Sequence, residues 1–343
     1  MTDEKCKVLM NLWTKKEDNP TYFLDTNFKP LNKAISGYYS KGIKNGIIME
    51  LSGWESSGKT AIATQIMKAA QKQNGVAMYF DYERSFDLSL AEKQGLILDE
   101  TFVYKKFPTG EDGVEACINY TKALREAKKS DGSLFFPLNT PIVAVFDSIP
   151  CMIPRSIIDK ENVDNNMKDN LAIPAMLSVA LPRLVQAADD YNITVIFINQ
   201  LRDNVGVMYG ESEKTSGGKA KNFYFTTRIK CKRTILTEKS VKIGQLVEAN
   251  VIKNKQSAPF RSCSWLFKYN ADGTGCFDTV GSTIDYCIEN KIGGISGAGA
   301  WFEFDGQKYQ GKEALKKALI ADETIFAKLE AELDKLDNAN ENN

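Results

Sequence analysis

Residues Gly53 to Thr60 read Gly-Trp-Glu-Ser-Ser-Gly-Lys-Thr, and no other stretch limits the fold so tightly. A backbone that curls around a phosphate needs glycines at its turns, so that several N–H groups point at one anion. It also needs a lysine for the distal phosphates and a hydroxyl for Mg²⁺. Such a loop has to join a strand to the first turn of a helix, whose N-terminus favours negative charge. Both neighbours are present. Ile47-Ile48-Met49-Glu50-Leu51 is an apolar run that predicts a buried strand. Thr60 to Lys72 places Ile62, Ile66, Met67 and Ala70 on one helical face. The segment predicts a nucleoside triphosphate site, with Lys59 on the β- and γ-phosphates and Thr60 on Mg²⁺.

The rest of the chain extends this unit into an α/β fold. Further strands are expected at Val76–Asp81, Ile142–Asp147 and Thr194–Asn199, alternating with helical stretches, the signature of a mostly parallel sheet. Phe225–Lys232, Leu246–Ile252 and Cys263–Lys268 follow with no helix between them, which predicts antiparallel pairing. The turn cluster after Asn270 marks a domain boundary. The expected division is an N-terminal arm over 1–25, an ATPase-like core over 26–270, a small α/β domain over 276–336 and a polar tail over 337–343. In the arm, Cys6, Leu9, Met10 and Trp13 form one helical stripe that needs something to pack on, its own core or a neighbouring subunit. In the small domain, Asp305-Gly306 predicts a two-residue hairpin turn.

Composition removes several kinds of chemistry. There are no histidines, so histidine bases, Ser-His-Asp triads and histidine-ligated metals are excluded, and acid–base work falls to carboxylates. The seven cysteines are scattered without a Cys-x-x-Cys pair, as expected for free thiols in a reducing, cytoplasmic setting. No apolar run approaches a membrane span. Formal net charge is zero, so a polyanionic partner has to be met by a local basic patch.

Ligands of open α/β sheets sit outside the carboxyl ends of the strands, and polar residues occupy those ends here. Asp147 closes the apolar run Ile142-Val-Ala-Val-Phe and is the expected partner of Mg²⁺ through a water. Glu83 lies just past the strand ending at Asp81. It is placed to orient or deprotonate an attacking water, or else to serve as a loop salt-bridge partner. Gln200 ends another strand and, being neutral, can bond a γ-phosphate without repelling it. After it comes Leu201 to Gly218, a glycine-rich and polar loop. Lys219, Lys221, Arg228, Lys230, Lys232 and Arg233 then surround Phe223, Tyr224 and Phe225 with no acid between. Two readings stay open for this basic stretch: a polyanion site beside a nucleotide sensor, or an edge strand whose charges discourage aggregation.

Taken together these residues resemble the bacterial RecA recombinase family, in order from about Phe28 to Leu336. Asp81-Tyr-Glu-Arg-Ser-Phe-Asp, Val145-Phe-Asp-Ser-Ile, Phe197-Ile-Asn-Gln-Leu-Arg, Gly206-Val-Met-Tyr-Gly, Thr215-Ser-Gly-Gly-Lys-Ala, Val251-Ile-Lys-Asn-Lys-Gln-Ser-Ala-Pro-Phe and Gly299-Ala-Trp-Phe carry the likeness beside the phosphate loop. It implies a RecA-type phosphate-loop ATPase core with a mostly parallel central sheet, a small C-terminal α/β domain and a short N-terminal helical arm. It implies a DNA-dependent ATPase that forms a helical filament on single-stranded DNA and exchanges strands with duplex DNA, using ATP and Mg²⁺. Mediator and single-strand-binding proteins are implied partners.

By position, the likeness implies catalytic roles for Glu83, Lys59, Gln200, Lys253 and Lys255, the last two acting across a filament interface on a neighbour's ATP. It implies nucleotide contacts from Gly53, Trp54, Glu55, Ser56, Ser57, Gly58, Lys59, Thr60, Ala61, Asp87 and Asp147, with Thr60 and Asp147 serving the metal. Two DNA loops are implied at about 157–169 and 201–215. Their contact set is Arg202, Asn204, Val205, Gly206, Met208, Gly217, Gly218 and Lys219, with Arg183 and Lys168 from the first-loop region. Phe223 matches an aromatic at the subunit interface. The chain departs from the family at Leu90, where a tyrosine usually stacks on adenine. Its first loop carries Lys160 and Lys168, and Pro154, Pro174 and Pro182 bend that region differently. Such divergence suits a bacteriophage-encoded member. Competing expectations are a ring-forming helicase or motor on the same fold and a nucleotide-gated filament scaffold.

Overall fold

The computed structural model describes residues 20–158, 171–203, 213–272 and 274–341. The expected arm helix at Glu4–Lys15, most of the first DNA loop and the centre of the second lie outside them. A two-stranded ribbon of β1 (Phe23–Leu24) and β2 (Ile43–Lys44) brackets helix α1 (Lys29–Ser36). The parallel strands are β3 (Ile47–Gly53), β4 (Val76–Asp81), β5 (Phe102–Lys105), β6 (Ile142–Asp147) and β7 (Thr194–Asp203). Between them run α2 (Lys59–Lys72), α3 (Leu88–Lys93), α4 (Gly110–Glu126), α5 (Arg155–Ile158) and α6 (Ala172–Asp190). The expected strands and the helix after the phosphate loop are all observed.

These strands pair in the order β3-β7-β6-β4-β5, and β3, β4 and β6 are buried along their whole length. A parallel sheet covered on both faces requires that continuous apolar run. Successive residues feed two cores: Met49, Leu51 and Tyr79 face one, and Ile48, Met78 and Phe80 face the other. Helix α6 carries two of the prolines expected to bend this region. Pro182 lies inside a continuous helix, because Met176, Leu177, Ala180, Leu181 and Leu184 bury one stripe against the sheet.

The chain then turns antiparallel. Strand β8 (Glu213–Thr215) pairs with the end of β7, and the short helix α7 (Lys221–Tyr224) leads into β9 (Thr227–Glu238). Strand β9 lies parallel to β3, and β10 (Val241–Asn254), β11 (Ser262–Tyr269) and β12 (Gly275–Phe277) extend the sheet antiparallel beyond it. The result is one ten-stranded sheet.

Helix α8 (Thr279–Asn290), strands β13 (Ser296–Ala298), β14 (Trp301–Phe304) and β15 (Gln307–Gln310), and helices α9 (Lys312–Ala321) and α10 (Glu323–Glu341) enclose a third core. Asp305 and Gly306 connect β14 to β15 with φ of 51° and 73°, as the hairpin turn requires. Helix α10 runs past position 337, where the sequence places the start of a polar tail. Asp337 is buried and accepts hydrogen bonds from the backbone of Tyr39 and Ser40, each at 2.9 Å.

Candidate nucleotide site and its interfaces

The phosphate loop is shaped by its glycines. Gly58 caps α2 at φ 85°, a left-handed conformation that a side chain would strain. A Cβ on Gly53 would lie 2.3 Å from Ser57 Oγ and 2.6 Å from the Cys231 carbonyl, so the loop can close on β9 only with glycine there. Lys59 is buried, and its Nζ donates to the carbonyls of Gly53 at 3.1 Å and Trp54 at 2.8 Å. Burial pulls its ammonium below the ordinary lysine range, partly offset by the charges of Asp147, Glu83 and Glu55. A cation held by two carbonyls, close to free backbone N–H groups, is ready to exchange them for phosphate oxygens. Ala61 has no hydroxyl, so only its backbone is available to a ligand.

Register brings the other strand ends alongside. Gly53 pairs with Gln200 on β7, Phe146 pairs with Phe197, and Asp81 pairs with Asp147. Gln200, Asp147 and Glu83 therefore stand in a row beside the loop. The Asp147 carbonyl accepts from Tyr82 N at 2.7 Å and Glu83 N at 3.1 Å, which pins the exposed Glu83 next to the end of β6. Thr60 Oγ1 donates to Asp147 Oδ2 at 3.0 Å, and the buried Tyr79 hydroxyl donates to the same oxygen. Burial pushes the Asp147 carboxyl up to about 6; the Glu83 charge adds to this and the Tyr79 hydrogen bond opposes it. Asp147 Oδ1 and Ser57 Oγ are buried without a partner among the described residues. An unpartnered carboxylate oxygen beside a threonine hydroxyl is a hard-oxygen donor pair of the kind Mg²⁺ takes, completed by phosphate and water. Among the described residues no group of three acids or cysteines could hold a metal alone.

Asp87 caps α3, accepting from Leu90 N at 3.0 Å. The remaining nominated residues lie elsewhere. Phe223 is 78% exposed on α7. Lys253 Nζ donates to the Asn222 carbonyl, and Lys255 Nζ to the Phe223 carbonyl at 3.4 Å. Lys253 pairs with Arg228, which in turn pairs with Glu50, whereas the phosphate loop begins at Gly53. Lys253 therefore sits two strands across and about 10 Å down the strand axis from its own chain's loop, and Lys255, whose N–H bonds the Thr226 carbonyl, lies farther down still. Besides the effect of burial, the Lys255 and Arg228 charges lower the Lys253 ammonium's proton affinity, with Glu50 opposing.

Of the nominated DNA contacts, Arg202 is exposed in the β7–β8 ladder, and Gly218 and Lys219 are exposed just beyond it. Gly217 is buried against Leu177 and Lys221. Arg183 lies on α6 with Nη1 3.7 Å from Glu115. Asn204, Val205, Gly206, Met208 and Lys168 are outside the described residues.

The basic stretch after the loop is less free than its sequence reads. Lys221 is fully buried, with Nζ 3.0 Å from Glu50 Oε1, and Arg228 Nε lies 2.6 Å from Glu50 Oε2. Lys230 pairs with Glu213. Lys219, Lys232 and Arg233 stay exposed. Asn199 Nδ2 also donates to Glu50 at 2.8 Å, so four elements meet on one carboxylate. Burial alone would raise the Glu50 carboxyl, but the Lys221 and Arg228 charges prevail and hold it below the usual range. Sequence reasoning missed this cluster and the role of Tyr79. Glu50 carried a signal, because an acid inside an apolar central strand has to be paired.

The RecA N-terminal domain model matches residues 8–273 of this chain. Protein RecA of Chloroherpeton thalassium is 34% identical over 294 residues, covering 85% of this chain and 75% of its own. Protein RecA of Leptospira meyeri is 32% identical over 291 residues, covering 84% and 69%. Protein RecA of Rhodopirellula baltica is 32% identical over 300 residues, covering 87% and 72%.

Proposed function

The chain belongs to the RecA family, and from that premise we propose a DNA-dependent ATPase and homologous recombinase that forms a filament on single-stranded DNA. The observation that carries this reading is the row of Gln200, Asp147 and Glu83 beside the phosphate loop, on adjacent parallel strands. Lys59 and the N-terminus of α2 bind the distal phosphates. Thr60 and, through water, Asp147 hold Mg²⁺, which when bound neutralises charge on the β- and γ-phosphate oxygens. Glu83 orients the attacking water and takes its proton; no histidine is available for that work. Gln200 reports the γ-phosphate to the β7–β8 ladder.

Lys253 and Lys255 serve a neighbouring subunit's nucleotide. Their position away from their own loop supports this, as does the crowding of cations that a partner's phosphates would relieve. Phe223 packs into that neighbour. DNA contacts fall to the segments about 157–169 and 201–215, with Arg202, Gly218 and Lys219 at the described margin. The core spans 26–270 and the small α/β domain 276–336; in the arm over 1–25, Phe23 and Leu24 pair with β2 of the same chain, and subunit docking falls to the stretch before them. A cytoplasmic setting and single-strand-binding and mediator partners complete the reading; among the described residues no helix is long and apolar enough to cross a membrane.

The test is ATPase rate against single-stranded DNA concentration, with filaments inspected by electron microscopy. The rate is expected to climb with DNA, on open helices, and Lys59→Ala to lose nucleotide-dependent filaments and strand exchange. Closed rings, a rate indifferent to DNA, or normal strand exchange by Lys59→Ala would overturn the reading.

A further inference from the structure

The second residue of the phosphate loop reaches across to a distant strand. Trp54 is 41% exposed, yet its indole Nε1 donates to Glu213 Oε1 at 2.7 Å. Glu213 opens β8, which is held to β7 by the pairs Leu201–Thr215, Arg202–Lys214 and Asp203–Glu213. The other oxygen of the same carboxylate takes Lys230 from β9. Hydrogen bonds from Lys230 and Trp54 hold the Glu213 carboxyl below the usual carboxylate range. The bond is charge-assisted, and such bonds are roughly twice as strong as neutral ones.

The β7–β8 ladder is thus anchored at both ends. At its base, Asn199 Nδ2 donates to the Ser216 carbonyl at 2.9 Å and Lys221 Nζ to Thr215 Oγ1 at 2.7 Å, both gathered on the buried Glu50. At its far rung, the Trp54 indole supplies a hydrogen bond from the phosphate loop. Trp54 is also where Lys59 grips the loop, through the Trp54 carbonyl at 2.8 Å. A phosphate that draws Lys59 away releases the backbone of the residue whose side chain holds the ladder. We propose that the Trp54–Glu213 bond passes this release to the β7–β8 ladder, so that Trp54 and Glu213 are positioning residues coupling nucleotide occupancy to DNA affinity, on a route separate from Gln200. The proposal rests on the DNA-dependent reading above.

The quantity to measure is the coupling factor, the ratio of single-stranded DNA Kd without and with a non-hydrolysable ATP analogue. Parent protein is compared with Trp54→Phe, Glu213→Ala, Glu213→Gln and the Trp54→Phe/Glu213→Ala pair. Trp54→Phe and Glu213→Ala are each expected to lower the factor about fivefold or more. The pair should lower it no further than either alone, as for two halves of one contact. Glu213→Gln keeps a neutral acceptor for the indole while surrendering the charge offered to both Trp54 and Lys230, so its factor should fall between those of the parent and Glu213→Ala. A parent-like factor in both single variants overturns the proposal. So does a factor lost in Glu213→Gln and Glu213→Ala but kept in Trp54→Phe, which would assign the effect to Lys230. A parent whose DNA affinity ignores the nucleotide overturns the DNA-dependent reading itself, and a large parent factor separates the two failures.

Discussion

At the carboxyl ends of β3, β7, β6 and β4 the chain gathers Lys59, Thr60, Gln200, Asp147 and Glu83 around one loop. Two strands away and lower on the sheet, the β9–β10 pair gathers Lys253, Lys255 and Arg228, with the buried Glu50 as the acid acting on Lys253. The first region has hydroxyl, acid and cation together around one phosphate loop. The second has positive charge at a surface, beside an exposed aromatic, and no acidic substrate of its own. Each holds what the other lacks. In the proposed filament, a head-to-tail assembly would bring the lower region of one subunit to the upper region of the next, and heterologous contacts that do not close give open helices.

Glu50 belongs to both regions, because it stands in the strand that ends in the phosphate loop and neutralises Lys221 and Arg228 below it. Replacing it is expected to have the largest effect. Glu50→Gln leaves two cations uncompensated in a buried site and should cost about 3–5 kcal/mol of stability at neutral pH. The pH dependence fixes the cause. A carboxylate held below its ordinary range contributes stability above the unfolded glutamate value of about 4.3 and loses it as pH falls through the folded value. The gap between parent and Glu50→Gln in denaturant melts should therefore begin to narrow below about pH 4.3 and keep narrowing as pH falls through the folded value. A gap of equal size at pH 7 and pH 3.5 would mean that packing, not charge, accounts for the loss. Lys221→Met added to Glu50→Gln should recover part of it.

The second prediction tests the division between subunits. Lys255→Ala should lower DNA-stimulated hydrolysis about 10²–10³-fold, the scale of a transition-state cation supplied in trans, with nucleotide binding to free subunits unchanged. Glu83→Gln should be similarly slow. Mixed in equal parts, the two dead proteins should regain up to about a quarter of the parent rate, because that share of heterologous interfaces joins an intact Glu83 to an intact Lys255. A mixture as slow as its components would place both residues in one subunit's site.

How far these regions were legible in the sequence follows from what each is made of. The phosphate loop, Asp147 and Gln200 could be read because each is set by local pattern: a glycine-framed turn, or an apolar run closed by a polar residue. The β9–β10–β11 meander was legible from its lack of intervening helices, and the Asp305-Gly306 turn from the two left-handed residues it needs. Partners that come from far along the chain were not. Lys221 and Arg228 read as a free basic patch because the acid that neutralises them lies 171 and 178 residues away. The Trp54–Glu213 bond spans 159 residues and left no mark on either segment. The position of Lys253 and Lys255 away from their own loop is a matter of sheet register, which no local pattern specifies.

The smallest effect belongs to the rim of the upper region. Leu90 follows Asp87 on α3, where its backbone N–H is used to cap the helix and its side chain is half-buried. By the family likeness this position faces the adenine, and a leucine there offers apolar contact without an aromatic face. A base stacked on an aromatic ring gains about 1–3 kcal/mol, and leucine already supplies part of that by area alone. Leu90→Tyr should therefore tighten ATP binding by roughly 1 kcal/mol, about fivefold, and tighten inorganic triphosphate binding not at all. Calorimetric titration of both ligands separates the cases. Equal tightening of both would mean that the new side chain acts on the phosphate loop, whereas tightening of neither would place the base away from α3 and leave the upper region defined by its phosphates alone.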